Sequence, residues 1–276
     1  TGVQTCALPI SKTTSRWYFV VTAGRRVGHL ALGIGKSAGA TLTLISEEFE
    51  PPIRLQTLVD TLAGAIIKRL SEGRRDGVAV IAEGVALSVL PSDLEGLHEA
   101  EREPYGDLRI ADMNIGEILR HQVDRRLKEL GLKVPITAKS VGYELRCADP
   151  IPFDMEYARD LGFCAAKYLM EGGSACMISL DGGRFVPIPF AAMVDQETGR
   201  ARMRLVDISS TRWQVAQRYM IRLRPDDFAD PAQLRRLADV AGLEPQAFSG
   251  MFRSVARAVD GRDRKSTRLN SSHVSE

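Results

Sequence analysis

Hydrophobic and polar positions along the chain alternate between two rhythms, short unbroken apolar runs and longer stretches with three- and four-residue spacing. Trp17–Val21 is aromatic and β-branched with no polar alternation, the pattern of a strand covered on both faces in a parallel sheet. From Arg26 the spacing changes: Val27, Leu30, Ile34 and Ala38 predict a helix that begins just after Gly24-Arg25. Ala40–Ile45 predicts a second strand. Leu55, Leu58, Leu62, Ile66, Ile67 and Leu70 predict a helix over 53–70, opened by Pro51-Pro52 and closed by Gly73. Gly77–Ala82 predicts a third strand with Glu83-Gly84 at its end. Residues 85–113 are irregular. Asn114 is an N-cap for a helix that runs to Gly131, and Val134–Val141 predicts a fourth strand. Strands and helices joined by short turns in this order predict a parallel sheet with right-handed crossovers.

Beyond residue 146 the pattern changes. Pro150 and Pro152 break the chain, and Asp154 is expected to cap a helix ending at Gly172-Gly173. Ala175–Leu180 and Arg184–Ile188, joined by Asp181-Gly182-Gly183, predict a hairpin, and Gln196–Arg200 a further turn. Residues 210–259 predict three helices, the second opened by Pro231. The expected fold class is therefore α/β, a Rossmann-like parallel sheet sandwiched by helices, followed by a C-terminal α+β extension.

At 276 residues with a net charge of +2, the chain can bury a substantial core, and its charge gives no case for nucleic acid or a membrane surface. No apolar run approaches the roughly 20 residues of a spanning helix. Cys6, Cys147, Cys164 and Cys176 lack zinc-like spacing and a disulfide framework, so a reducing cytoplasm is the simplest expected setting. His29, His98 and His121 show no spacing of a metal or catalytic cluster. Gly33-Ile34-Gly35-Lys36-Ser37 lacks the first glycine of a phosphate-binding loop, since Leu30 stands there, and falls in a helical period. The same context excludes a dinucleotide fingerprint.

The chemistry concentrates at strand ends. Gly24 and Arg25 follow the first strand, where open α/β sheets bind ligands, and Glu83 ends the third. Tyr143-Glu144-Leu145-Arg146 follows the fourth. Arg binds phosphate through a planar fork of paired, charge-assisted bonds.

Together Arg16, Ala23-Gly24-Arg25, Ser46-Glu47, Glu83 and Gly142-Tyr143-Glu144-Leu145-Arg146 make residues 12–225 resemble the sugar-phosphate half of phosphofructokinases, and most of all the branch that often uses diphosphate. The family carries Met-Gly-Arg at the first turn, Pro-Glu after the next strand and Gly-Tyr-x-x-Arg or Gly-His-x-x-Arg after the fourth. Here Ala23 replaces the Met. The resemblance implies transfer of a phosphoryl group from diphosphate or ATP to the 1-hydroxyl of fructose 6-phosphate, as in glycolysis. Catalytic roles are implied for Arg25 and Arg16, the latter reaching across a subunit interface. Substrate-binding roles are implied for Ala23, Gly24, Arg25, Glu83, Tyr143 and Arg146. Lys139 either adds charge to a neighbouring subunit's site or is solvated. A homo-oligomer, dimer or tetramer, follows.

The family's donor-phosphate loop, its Gly-Gly-Asp motif near Mg2+ and its Asp-bearing base loop do not occur here, so the Mg2+ site is expected in an N-terminal half that this sequence lacks. Residues 1–10 and 263–276 resemble translated sequencing-adapter DNA and are expected to lie outside the fold, leaving 11–146 as a sugar-phosphate domain and 147–262 as a crossover to the donor domain plus C-terminal helices. The chain alone is expected to be inactive, and its segment 153–190 to show apolar surface without a partner. A non-catalytic sugar-phosphate-binding or regulatory subunit is the alternative; a nicotinamide-dependent dehydrogenase shares the α/β alternation but lacks the glycine fingerprint.

Overall fold

The computed structural model describes residues 3–95, 114–142, 144 and 147–257. The chain divides into two compact units, one built from 1–141 with 205–276 and the other from 142–204. This differs from the expected division at 146: the C-terminal helices belong with the sheet, because their apolar faces complete its core.

In the first unit, α1 (Leu8–Thr14) precedes β1 (Trp17–Thr22), followed by α2 (His29–Ala38), β2 (Leu42–Leu44), α3 (Leu55–Ser71) and β3 (Gly77–Ala82). Two short helices, α4 (Val85–Ser88) and α5 (Pro91–Leu94), precede α6 (Ile115–Glu129) and β4 (Ile136–Val141). The four strands are all parallel, in the order β2-β3-β1-β4. Every β3 residue and all of β1 except Tyr18 is buried, as the unbroken apolar runs predict for strands covered on both sides.

Register shows how the helices are layered. Thr43, Val80 and Val20 are aligned across β2, β3 and β1 and so share a face. A side chain at Gly35 of α2 would collide with Thr43 Oγ1, whereas one at Gly116 of α6 would lie 2.8 Å from Val21 Cγ2, on the opposite face. Hence α2 lies on one side of the sheet and α6 on the other, where it packs beside α3.

α3 is buried nearly all round from Leu58 to Ile67, because a second layer of helices covers it. These are α10 (Pro225–Ala229), α11 (Pro231–Val240) and α12 (Pro245–Phe252), whereas α9 (Thr211–Tyr219) lies near α2, its Ala216 and Tyr219 lining a cavity with Gly35, Lys36 and Thr43. Leu237, Phe248 and Phe252 are fully buried in the common core, and Gly64 of α3 lets Leu223 approach closely. A buried ion pair, Arg222 Nη1 to Glu48 Oε2 at 2.8 Å, ties this return segment to the turn after β2. Burial pushes the Glu48 carboxyl up, and the Arg222 charge only partly offsets it.

Several expectations need correction. α2 starts at His29 rather than beside Gly24-Arg25, since residues 23–28 form a loop. The region 210–259 holds the extra helix Pro225–Ala229, opened by its own proline. Residues 3–10, expected outside the fold, form a π-helical turn and the start of α1, with Val3 buried against the core. Residues 96–113 and 263–276 lie outside the described residues.

The second unit contains α7 (Pro152–Met170), the antiparallel hairpin β5 (Cys176–Asp181) and β6 (Arg184–Pro189), and α8 (Phe190–Met193). Gly182 and Gly183, at φ 55° and 78°, make the two-residue turn that the sequence announces. Asp154 sits at the third helical position rather than the cap, and its carboxylate accepts from Ile151 N at 3.1 Å. α7 has no buried residue; Phe163 is 70 % and Met170 88 % exposed, so the expected uncovered apolar surface is present.

Candidate functional site

The connection from β1 runs over β3 towards β2, whereas the connection from β3 crosses β1 to reach β4. The neighbouring strands β1 and β3 thus part in opposite directions, which makes their C-terminal ends the switch point where such sheets form a crevice. The loop 23–28 and the turn 83–84 lie there.

Main-chain bonds stitch the two strand ends together. Ala23 N donates to Val141 O at 3.3 Å, Glu83 N to Thr22 O at 3.1 Å, and Gly84 N to Gly24 O at 3.1 Å. The Glu83 carboxylate answers with Oε1, which accepts from Gly24 N at 3.1 Å. Two glycines make this approach possible. Gly24 adopts φ 146°, and a Cβ there would stand 2.8 Å from Val27 O; a Cβ at Gly84 would stand 2.5 Å from Arg25 O.

The far end of the loop is held by another carboxylate. Glu47 Oε1 accepts from Gly28 N at 2.8 Å, and Gly28 is so close to Ile45 that a side chain would overlap it. Between these two anchors Arg25 and Arg26 stand exposed. The turn therefore displays two guanidinium groups from a backbone fixed at both ends, an arrangement that can meet an anion with charge-assisted bonds at little ordering cost.

The structure brings Ala23, Gly24, Arg25 and Glu83 together as the sequence suggests, with one difference. Glu83 does not simply project into the crevice, because one oxygen holds the Gly24 turn. Arg16 is not brought to them. It precedes β1, and six strand residues at about 3.3 Å each put it roughly 20 Å from the Gly24 end. There Arg16 Nη1 donates to Thr137 Oγ1 at 3.4 Å, and its Nε is buried without a partner among the described residues. Within one chain Arg16 lies at the opposite sheet edge. Lys139, aligned with Val20, is exposed on the edge strand β4, two residues short of its end. Tyr143 and Arg146 lie outside the described residues. Between them, Glu144 Oε2 accepts from Gly142 N at 3.1 Å, and backbone N–H groups of Glu144 and Gly142 hold the Glu144 carboxyl below the usual carboxylate range. Glu47 enters the sequence reading only as part of the family match, with no role assigned, although a Glu just past a buried strand is the same signal that marks Glu83.

A parallel α/β sheet with a glycine-arginine turn at its switch point defines a class of domains that meet ligands at their strand ends. The sequence profile of the family described as Phosphofructokinase matches residues 7–169, more than half of the chain. The chain belongs to the phosphofructokinase family. It is 45% identical over 250 residues to a protein of Thermotoga maritima named pyrophosphate–fructose 6-phosphate 1-phosphotransferase, covering 88% of this chain and 59% of that one. A Naegleria fowleri protein of the same name is 41% identical over 257 residues, covering 90% and 59%. The chain thus spans about 59% of the length of these relatives. Among solved structures it resembles phosphofructokinase from Saccharomyces cerevisiae, with a TM-score of 0.45 and 18% identity, covering 66% of this chain and 21% of that one.

Proposed function

We propose that this chain forms the acceptor side of an enzyme that transfers a phosphoryl group to the 1-hydroxyl of fructose 6-phosphate, giving fructose 1,6-bisphosphate. Diphosphate is the proposed donor, in line with the names of the two relatives above 40% identity, with ATP as the alternative donor. The observation that carries the reading is the Gly24-Arg25 turn, clamped by Glu83 at the switch point. Arg25 offsets the charge of the reacting phosphates, which is the main task in phosphoryl transfer. Glu83 keeps a second oxygen on the same carboxylate to accept from a sugar hydroxyl. Tyr143 and Arg146 anchor the 6-phosphate. Arg16 acts in a neighbouring subunit, which requires at least a dimer, and Lys139 adds positive charge there.

Mg2+ in such an enzyme neutralises and orients the donor phosphates. Among the described residues no group of three or more His, Cys, Asp or Glu side chains is placed to hold a metal ion, so these residues do not fit it and no step is assigned through it. No helix among them is long and apolar enough to cross a membrane. The exposed apolar faces of α7 and the hairpin are proposed to pack on the donor-binding part that the relatives' extra length supplies.

Calorimetric titration of the chain tests this reading. Fructose 6-phosphate is expected to bind and fructose is not. Arg25→Ala should weaken binding by about 10- to 100-fold, the worth of a charge-assisted bond. Equal binding of fructose, or an unaffected Arg25→Ala variant, overturns the reading.

A further inference from the structure

Glu47 makes contacts that the acceptor-site residues alone do not account for. Its Oε1 accepts two backbone N–H groups at once, Gly28 N at 2.8 Å and Val206 N at 3.1 Å, while Ser46 Oγ donates to Oε2 at 3.3 Å. Gly28 and Val206 are both buried, and the carboxylate is half-buried between them. Gly28 ends the loop that displays Arg25 and Arg26 and is the N-cap of α2, which has no side-chain cap of its own. Val206 lies where the chain re-enters the first unit after residues 142–204. Glu83 fixes the loop at Gly24, so Glu47 fixes its other end.

We infer that Glu47 is a positioning residue for sugar-phosphate binding: through Gly28 it sets the path of the 23–28 loop, and through Val206 it ties that path to the returning chain. It acts through the position of an acceptor oxygen and touches no substrate. Three features support this. A side chain at Gly28 would overlap Ile45 and stand 2.8 Å from Glu47 Oε2, so the loop has little freedom to find another acceptor. A buried N–H deprived of its acceptor loses more than an ordinary hydrogen bond, because water cannot replace it. Finally, Glu48 next in sequence is itself locked by Arg222, which leaves Glu47 on a rigid base. The inference rests on the proposal that the Gly24-Arg25 turn binds fructose 6-phosphate.

Three variants test it: Glu47→Ala removes the acceptor, Glu47→Asp withdraws it by one methylene while keeping the charge, and Glu47→Gln keeps an acceptor while removing the charge. Titration with fructose 6-phosphate should show Glu47→Ala and Glu47→Asp weakened by about tenfold or more, and Glu47→Gln within about twofold of the parent. In amide-resolved NMR of the unliganded chain, the Gly24, Arg25 and Gly28 signals should move in the Ala and Asp variants and return in Gln. A general loss of stability would not give that recovery together with unmoved signals elsewhere in the sheet. Parent-like binding by Glu47→Asp, binding by Glu47→Gln as weak as by Asp, or unmoved Arg25 signals overturns the inference. Should Glu47→Ala fail to fold, the Asp and Gln pair decides alone. If the parent chain binds no fructose 6-phosphate, the sugar-phosphate reading falls, and the amide signals still decide whether Glu47 sets the loop.

Discussion

Single residues at the strand ends decide both shape and charge. Asp76, immediately before β3, shows how strongly one carboxylate can be engaged. Arg69 Nε donates to its carbonyl at 2.8 Å, Arg69 Nη2 to Oδ2 at 3.2 Å, and Arg74 Nε to Oδ1 at 3.0 Å. Burial alone would raise its pKa, but the bonds and charges of Arg74 and Arg69 outweigh burial and hold it below the usual range. The native state therefore binds this proton less readily than the unfolded chain. The resulting stability is present above the unfolded value of about 3.9 and is lost as pH falls through the lower native pKa. Urea unfolding should show the parent losing stability over that acid range more steeply than Asp76→Asn, which is less stable at neutral pH and flatter below it. Parallel pH profiles would refute the assignment.

At the scale of elements, the sheet is legible in the sequence because burial on both faces leaves an unbroken apolar run. Trp17–Val21 and Gly77–Ala82 therefore announce β1 and β3 almost residue for residue. The helix after β1 is less legible. Its spacing begins at Arg26, yet Gly28 is tied to Glu47, and helical geometry starts only at His29. A tertiary bond across 19 residues leaves no local trace. Arg25 and Glu83 are legible as a pair, because strand order places both at one edge. Arg16 stands at the other end of the same strand, so its expected role concerns a neighbouring subunit and not the strand ends of its own chain. Gly35 lets α2 approach β2 closely. Gly35→Ala adds a methyl group that overlaps Thr43 Oγ1 and comes 3.2 Å from Thr43 Cβ. Although alanine improves helix propensity by about 1 kcal/mol, overpacking of about 1–3 kcal/mol should outweigh it and leave a net cost of up to about 2 kcal/mol. The double variant with Thr43→Ala should recover part of that loss in chemical denaturation, and strict additivity would show that the two do not touch.

At the scale of the whole chain, the two units differ in how well they are covered. The first has a continuous core; the second exposes Phe153, Phe163, Leu169 and Met170 on one helix. Apolar surface on this scale marks a contact region. The chain should enhance the fluorescence of a hydrophobic dye, and Phe163→Ser with Met170→Ser should reduce that signal while shifting stability by no more than about 0.5 kcal/mol. A large loss of stability would mean that these side chains are packed in solution.

The return of the chain to the first unit also sets an order of events during synthesis. The sheet strands are complete once Val141 has been made, but Trp213, Leu237, Phe248 and Phe252 belong to the same core. At about 5–20 residues per second, a ribosome needs on the order of ten seconds to add the residues from Val141 to Phe252. Throughout that interval the outer face of α3 lacks the cover that these C-terminal helices provide. A nascent chain of this protein thus has a built-in window in which holdase chaperones compete with its own C-terminal helices for one apolar surface.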